Sequence, residues 1–128
     1  MTFAYLDTSA FVKTIVREPE SFRLLQWLEA WPNRASSALL RIEAIRVVTP
    51  AGHESVAMAR TALRTFRLIR LDDQLLDSAG ALEGALRSLD AIHVTAALTL
   101  GSDLGAFVTY DLRMASAAGE LGLPVVTP

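Results

Sequence analysis

Cysteine is absent from the 128-residue chain, which excludes a disulfide framework and every thiolate metal site. A metal held by this protein has only oxygen and imidazole to bind it. Lysine is nearly absent as well. Lys13 stands alone, and the other basic side chains are arginines, whose planar guanidinium suits bidentate contact with phosphate; a biased genomic composition would give the same excess. The net charge of −2 argues against coating nucleic acid with bulk positive charge, so any such contact requires a local basic rim. No uncharged apolar run approaches the roughly 18 residues that span a bilayer, and no basic start leads into an apolar stretch as in a signal peptide. A soluble cytoplasmic protein without membrane contact is expected. What the chain has in quantity is apolar residues, 52% of the total. That supports one sizeable core, in a length too short for two ordinary domains, so a single domain over residues 1–128 is expected. A mean hydropathy of +0.34 also predicts that another chain covers part of the surface.

Strand-like and helix-like segments alternate along the chain. Phe3 to Leu6 is a short apolar run that ends at Asp7, after which Thr8 or Ser9 can cap a helix from Ala10 to Val16. Glu18-Pro19-Glu20 suits a helix start. Phe22, Leu25, Trp27, Leu28 and Trp31 then recur at helical spacing until Pro32. A second strand over 34–38 leads to a helix from Leu39 to Val48 containing Glu43, closed by Pro50 and Gly52. Helix formers fill 54–65, and Phe66 to Leu71 alternates as a half-buried strand does. Asp72 and Ser88 read as caps of helices reaching Leu82 and Leu100. Ala106 to Tyr110 is a fourth strand, followed by Asp111, an alanine-rich helix to Leu121 and a last strand at Val125 and Val126. Parallel strands need crossovers, normally helical, so this alternation predicts an α/β fold with a mainly parallel sheet and helices on both faces.

In an open parallel sheet, ligands bind beyond the carboxyl ends of the strands, where connections diverge to opposite faces. Asp7 and Asp111 each follow a strand, Glu43 lies a turn into the helix after the second strand, and Asp90 sits in a first helical turn. These four acids can converge. Clustered carboxylates repel one another, and a cation resolves the repulsion; Mg²⁺, an oxygen-seeking ion that keeps several waters and pairs with phosphate, suits them. Each acid also has a plainer alternative. Asp7 and Asp111 can cap the helices they precede, Asp90 can complement a helix dipole, and Glu43 can be a solvated helix residue.

Resemblance separates these readings. The opening YLDTSAFVKTIVREP resembles the start of a PIN-domain ribonuclease toxin of the VapC type, LLRIEAIRV resembles its second acidic segment, LRSLDAIHVTAAL its third and FVTYDLRMASAAGELGLPVV its fourth. The segments span nearly the whole chain in the expected order. The resemblance implies a three-layer α/β/α fold, endonuclease activity on RNA dependent on Mg²⁺ or Mn²⁺, and a cognate antitoxin. It carries the family's acidic quartet onto Asp7, Glu43, Asp90 and Asp111, as catalytic and metal-holding residues, and a hydroxyl near the metal onto Thr109. A homodimer is also expected.

Other residues are weaker candidates. His93 shares a helical face with Asp90, three residues earlier, and reads as a structural histidine more readily than a substrate contact. His53 lies near a turn and is expected in solvent. Arg113 and Arg87, near Asp111 and Asp90, can steady a phosphate or serve only at the surface. Phe22, Trp27 and Trp31 read first as core and, in the family's context, as part of an antitoxin-facing surface. An aspartyl phosphatase would resemble D-x-D, where Ser9 stands here, and a receiver domain would need a lysine that FVTYD lacks. The remaining rival is a non-catalytic PIN-like module that binds RNA or protein.

Overall fold

The computed structural model describes residues 1–128. Five strands, β1 (Phe3–Leu6), β2 (Arg34–Ser37), β3 (Arg67–Ile69), β4 (Leu104–Val108) and β5 (Val125–Val126), form one sheet in the order β3-β2-β1-β4-β5. All four pairings are parallel. The helices α1 (Thr8–Ile15), α2 (Ser21–Leu28), α3 (Leu40–Val48), α4 (His53–Leu63), α5 (Asp73–Gly80), α6 (Ser88–Leu98) and α7 (Leu112–Glu120) supply the crossovers. No helix is long and apolar enough to cross a membrane.

β1 is central, and its four residues are all buried, as expected of a parallel strand covered on both sides. Its side chains alternate. Phe3 and Tyr5 join Phe107, Leu75, Val94 and Met114 in the core beneath α5, α6 and α7, and Tyr5 stacks on Phe107 at 5.4 Å between ring centroids. Ala4 and Leu6 face the other way, with Ala106, Val108, Ala10, Leu24 and Leu28 under α1 and α2. A third cluster, including Phe11, Leu40, Val48 and Ala59, fastens α3 and α4 onto α1. Burying each such Leu, Val or Phe contributes roughly 1.5–3 kcal/mol.

The elements match the sequence reading within a few residues, and the differences have physical causes. Asp7, rather than Thr8 or Ser9, caps α1: its backbone is extended and its side chain accepts from the Ala10 N–H, so Thr8 is already helical. Ser88 is likewise inside α6, whose cap position belongs to Arg87 and carries no side-chain capping bond. β4 begins at Leu104 and ends at Val108, leaving Thr109 just beyond the ladder. Phe22 is 75% exposed. The buried stripe of α2 is Leu24 and Leu28, with Trp27 and Trp31 packed against it half-buried and stacked on each other.

Gly105 shows how closely the chain passes the second tryptophan. A Cβ there would lie 2.6 Å from Trp31 Cζ3. Replacing glycine by alanine where the backbone allows it normally stabilises by about 0.4–1 kcal/mol, but an overpacked contact costs roughly 1–3 kcal/mol. Gly105→Ala is therefore expected to lower stability in urea titrations and to disturb tryptophan fluorescence. A gain in stability would show that Trp31 yields freely.

Candidate active site

The strand order reverses between β1, which continues outward through β2 and β3, and β4, which begins the other half of the sheet. That divergence opens the crevice where α/β sheets take ligands. Asp7 leaves the end of β1 and Asp111 follows the end of β4, one on each side of it. Glu43 reaches the same end from α3, and Asp90 from the first turn of α6.

Side-chain hydrogen bonds and ion pairs hold three of these acids in one set and Glu43 in a second. Asp7 is 2% exposed; its Oδ1 accepts from Ser9 Oγ at 2.7 Å and Ala10 N at 3.0 Å, and its Oδ2 accepts from Thr109 Oγ1 at 2.5 Å. Thr109 is itself fully buried and accepts from the Asp111 N–H at 3.1 Å. One threonine thus joins the first acid to the fourth. The Ser9 hydroxyl accepts from Tyr110 N at 2.9 Å, which pins the α1 start against the segment after β4. Asp111 spends Oδ1 on the N–H groups of Arg113 and Met114. Each of Asp7 and Asp111 caps its helix with Oδ1; the second oxygen of Asp7 is held by Thr109, whereas that of Asp111 is left toward the crevice.

Arg87 joins the fourth acid to the third. Its Nε lies 3.1 Å from Asp90 Oδ2 and its Nη2 3.8 Å from Asp111 Oδ2, so a single cation spans both carboxylates. Arg113 meets Asp111 through its backbone, and its side chain lines a shallow surface recess with Leu112 and Glu120. Glu43 Oε1 accepts from Thr8 Oγ1 at 2.6 Å and lies 2.8 Å from His93 Nε2. His93 is 2% exposed, and its Nδ1 is 2.8 Å from the Tyr5 hydroxyl. The structural reading of His93 is right about burial but incomplete, since the ring touches Glu43, one of the four candidate acids. His53 opens α4 in solvent, as expected.

Charge follows these contacts. Burial pushes the Asp7 carboxyl above its ordinary range, and the hydrogen bonds from Thr109, Ser9 and Ala10 recover only part of that. Burial acts on Glu43 in the same sense, but the bonds from His93 and Thr8 outweigh it and hold its pKa below the usual value. The Tyr5 phenol is driven well above its ordinary value, chiefly by complete burial. The donor set at this end of the sheet is all carboxylate and hydroxyl oxygen, apart from the two ring nitrogens engaged by Glu43 and Tyr5. Glu43 Oε2 and Asp90 Oδ1 receive no hydrogen bond, and Asp111 Oδ2 has only the distant guanidinium. No three Asp, Glu or His side chains lie close enough to enclose an ion unaided. Mg²⁺ does not require that, because it retains waters and uses one or two carboxylates with substrate phosphate. The residues fit such an ion.

A model of the PIN domain family matches residues 4–120. The chain belongs to the PIN domain family. Within it, the chain is 46% identical to Ribonuclease VapC46 of Mycobacterium tuberculosis, covering 100% of this chain and 99% of that protein. It is 38% identical to Ribonuclease VapC47 of the same species, over 97% and 96%. A toxin-antitoxin complex from Klebsiella pneumoniae contains a chain of TM-score 0.73 and 28% identity, with 98% and 97% covered. VapC20 of M. tuberculosis, described as a sarcin-ricin loop cleaving toxin, shares the PIN fold at TM-score 0.74 and 16% identity, over 99% and 100%.

A second feature of this PIN domain is a groove of about 500 Å³ beside α2, lined among others by Thr14, Ile15, Val16, Phe22 and Leu25. A neighbouring depression shares Thr14, Ile15 and Leu25 and continues to Met58 and Ala62 of α4. Together they form one apolar strip on which Phe22, Met58 and Leu25 stand 75%, 54% and 47% exposed. The floor near α1 is braced by Lys13, which is buried and bound at 3.0 Å to both Glu18 and Glu20.

Proposed function

We propose that this chain is a Mg²⁺-dependent endoribonuclease, the toxin of a toxin-antitoxin pair, with Asp7, Glu43, Asp90 and Asp111 as its catalytic and metal-holding residues. The observation that carries the reading is the pair of polar networks at the sheet's carboxyl end, one joining Asp7, Asp111 and Asp90 through Thr109 and Arg87 and the other holding Glu43 through Thr8 and His93, while Glu43, Asp90 and Asp111 keep an unbonded or weakly bonded oxygen. A Mg²⁺ or Mn²⁺ ion held by these acids would supply Lewis acidity, lowering the pKa of a bound water and stabilising a departing oxygen. The chain's own part is positional. Thr109 and Ser9 hold the Asp7 carboxylate, while Thr8 and His93 hold Glu43. Arg87, 68% exposed in its side chain, bridges Asp90 and Asp111 and would be free to contact an RNA phosphate if a metal took its place. Arg113 is a second, more distant candidate for that contact.

The partner reading rests on the kinship with toxin-antitoxin complexes and on the apolar strip from Phe22 to Met58. A small antitoxin laying an amphipathic segment along it would bury the exposed side chains and block the toxin in its own cell. A homodimer accords with Leu112 and Leu89, 84% and 49% exposed next to Asp111 and Asp90 in the chain.

Purified protein is expected to cut RNA with Mg²⁺ or Mn²⁺ and to stop on chelation. Ca²⁺, with looser coordination, should replace them poorly. Cleavage undiminished by excess chelator would overturn the metal mechanism, and RNA binding without cutting would make the chain a non-catalytic module.

A further inference from the structure

We propose that His93 is a positioning residue for Glu43: held in one tautomer between Tyr5 and Glu43, it saturates Oε1 jointly with Thr8 and so presents Oε2 to the metal. The inference rests on the reading of Glu43 as a metal-holding acid.

The three groups come from different layers. Tyr5 belongs to β1, His93 to α6 on one face of the sheet and Glu43 to α3 on the other. They meet across the sheet's carboxyl edge. The Tyr5 hydroxyl can donate or accept, whereas the Glu43 carboxylate can only accept; with Oε1 2.8 Å from Nε2, the Tyr5 hydroxyl 2.8 Å from Nδ1 is the donor to that nitrogen. The ring proton then sits on Nε2, which points at Glu43 Oε1 at 2.8 Å and at Thr8 Oγ1 at 3.3 Å. Thr8 donates to the same Oε1 at 2.6 Å. Two donors on one oxygen decide which carboxylate oxygen stays free, and the decision matters because the terminal torsion of glutamate is otherwise broad. Partners behind a metal-holding residue commonly set metal affinity by about 10–100-fold.

The bland alternative is that His93 merely fills space beside the Tyr5 ring. Two substitutions separate the cases, because glutamine places an amide N–H near the imidazole Nε2 position and asparagine near that of Nδ1. Mn²⁺ affinity, measured directly on the protein without RNA, is expected to stay within about threefold in His93→Gln and to fall about tenfold or more in His93→Asn. The two should show similar losses of stability in urea. In a Glu43→Gln background, His93→Asn should add no further loss of Mn²⁺ affinity. The ¹⁵N shifts of the parent imidazole should report a proton on Nε2.

If Glu43→Gln leaves Mn²⁺ affinity unchanged, the reading of Glu43 falls and this inference falls with it. If Glu43→Gln weakens binding while both His93 variants bind as the parent does, or lose affinity only in proportion to stability, His93 is structural and the site reading survives. Should neither variant fold, a parent ring protonated on Nδ1 would by itself overturn the proposal.

Discussion

Asp7→Asn is expected to reduce Mg²⁺-dependent RNA cleavage by about a hundredfold or more while leaving the metal-free protein as stable as the parent, or more stable, at neutral pH. Loss of activity and gain of stability have one origin, the ionised carboxylate kept almost wholly out of water at the end of β1. Asparagine retains the cap of α1, being among the best capping residues. Thr109 then has to accept from the new amide as well as from the Asp111 N–H, and a hydroxyl has two lone pairs for this. The sign with pH follows from the raised carboxyl. Unfolded Asp7 titrates near 3.8 and the folded group above it, so within that interval the folded state binds more protons and stability falls as pH rises. Glu43 works oppositely: its lowered folded value makes its contribution present above 4.5 and lost on acidification below that. In metal-free parent protein the Asp7 contribution should therefore be lost as pH climbs from 3.8 through the raised value of Asp7, opposed by Glu43 only below 4.5, and Asp7→Asn should remove that loss. Parent-rate cleavage by a normally folded Asp7→Asn protein would remove Asp7 from the site.

The strand and helix order is readable from the sequence because apolar periodicity and punctuation agree locally, as at Phe3 to Leu6 before Asp7 and at Asp72, which caps α5 as expected. Four acids at the carboxyl end of the sheet are legible for the same reason, each sitting one step beyond a strand or one turn into a helix. The partners that hold them are not. Tyr5, His93 and Glu43 stand 88 and 50 positions apart in their contacts, and no local pattern foretells a bond between layers. Thr109 was visible only through resemblance, since a threonine near a strand end is ordinary until its hydroxyl is seen between two aspartates. The choice among Asp7, Thr8 and Ser9 as cap is also tertiary, because all three residue types cap well and backbone geometry decides. In α2 the difficulty is different. Leu24, Leu28 and Trp31 form one helical stripe and Phe22 with Leu25 another, so periodicity shows two apolar faces without saying which one covers the sheet.

That second face supplies the other large expected effect. Phe22→Glu and Leu25→Glu should each weaken binding of the cognate antitoxin, purified from the protein's own cells, by about thirtyfold or more, the loss expected when an interface anchor worth about 2 kcal/mol is removed. Both side chains stand largely in solvent in the isolated chain, 75% and 47% exposed, and neither belongs to the buried stripe of Leu24 and Leu28. Folding loses little from either change, since surface substitutions generally stay within about 0.5 kcal/mol. RNA cleavage by the free toxin should be unaffected, because the networks that hold the acids draw on α1, α3, α6 and the segment after β4, and on nothing from α2. Glutamate is the informative replacement: it puts a charge where the proposed partner segment would bury apolar surface, and a buried unpaired charge costs far more than a truncated contact. The growth defect on expression with the antitoxin should then resemble that of toxin expressed alone. Parent-like affinity in both variants would place the antitoxin elsewhere on the PIN domain and leave the apolar strip from Phe22 to Met58 without its proposed occupant.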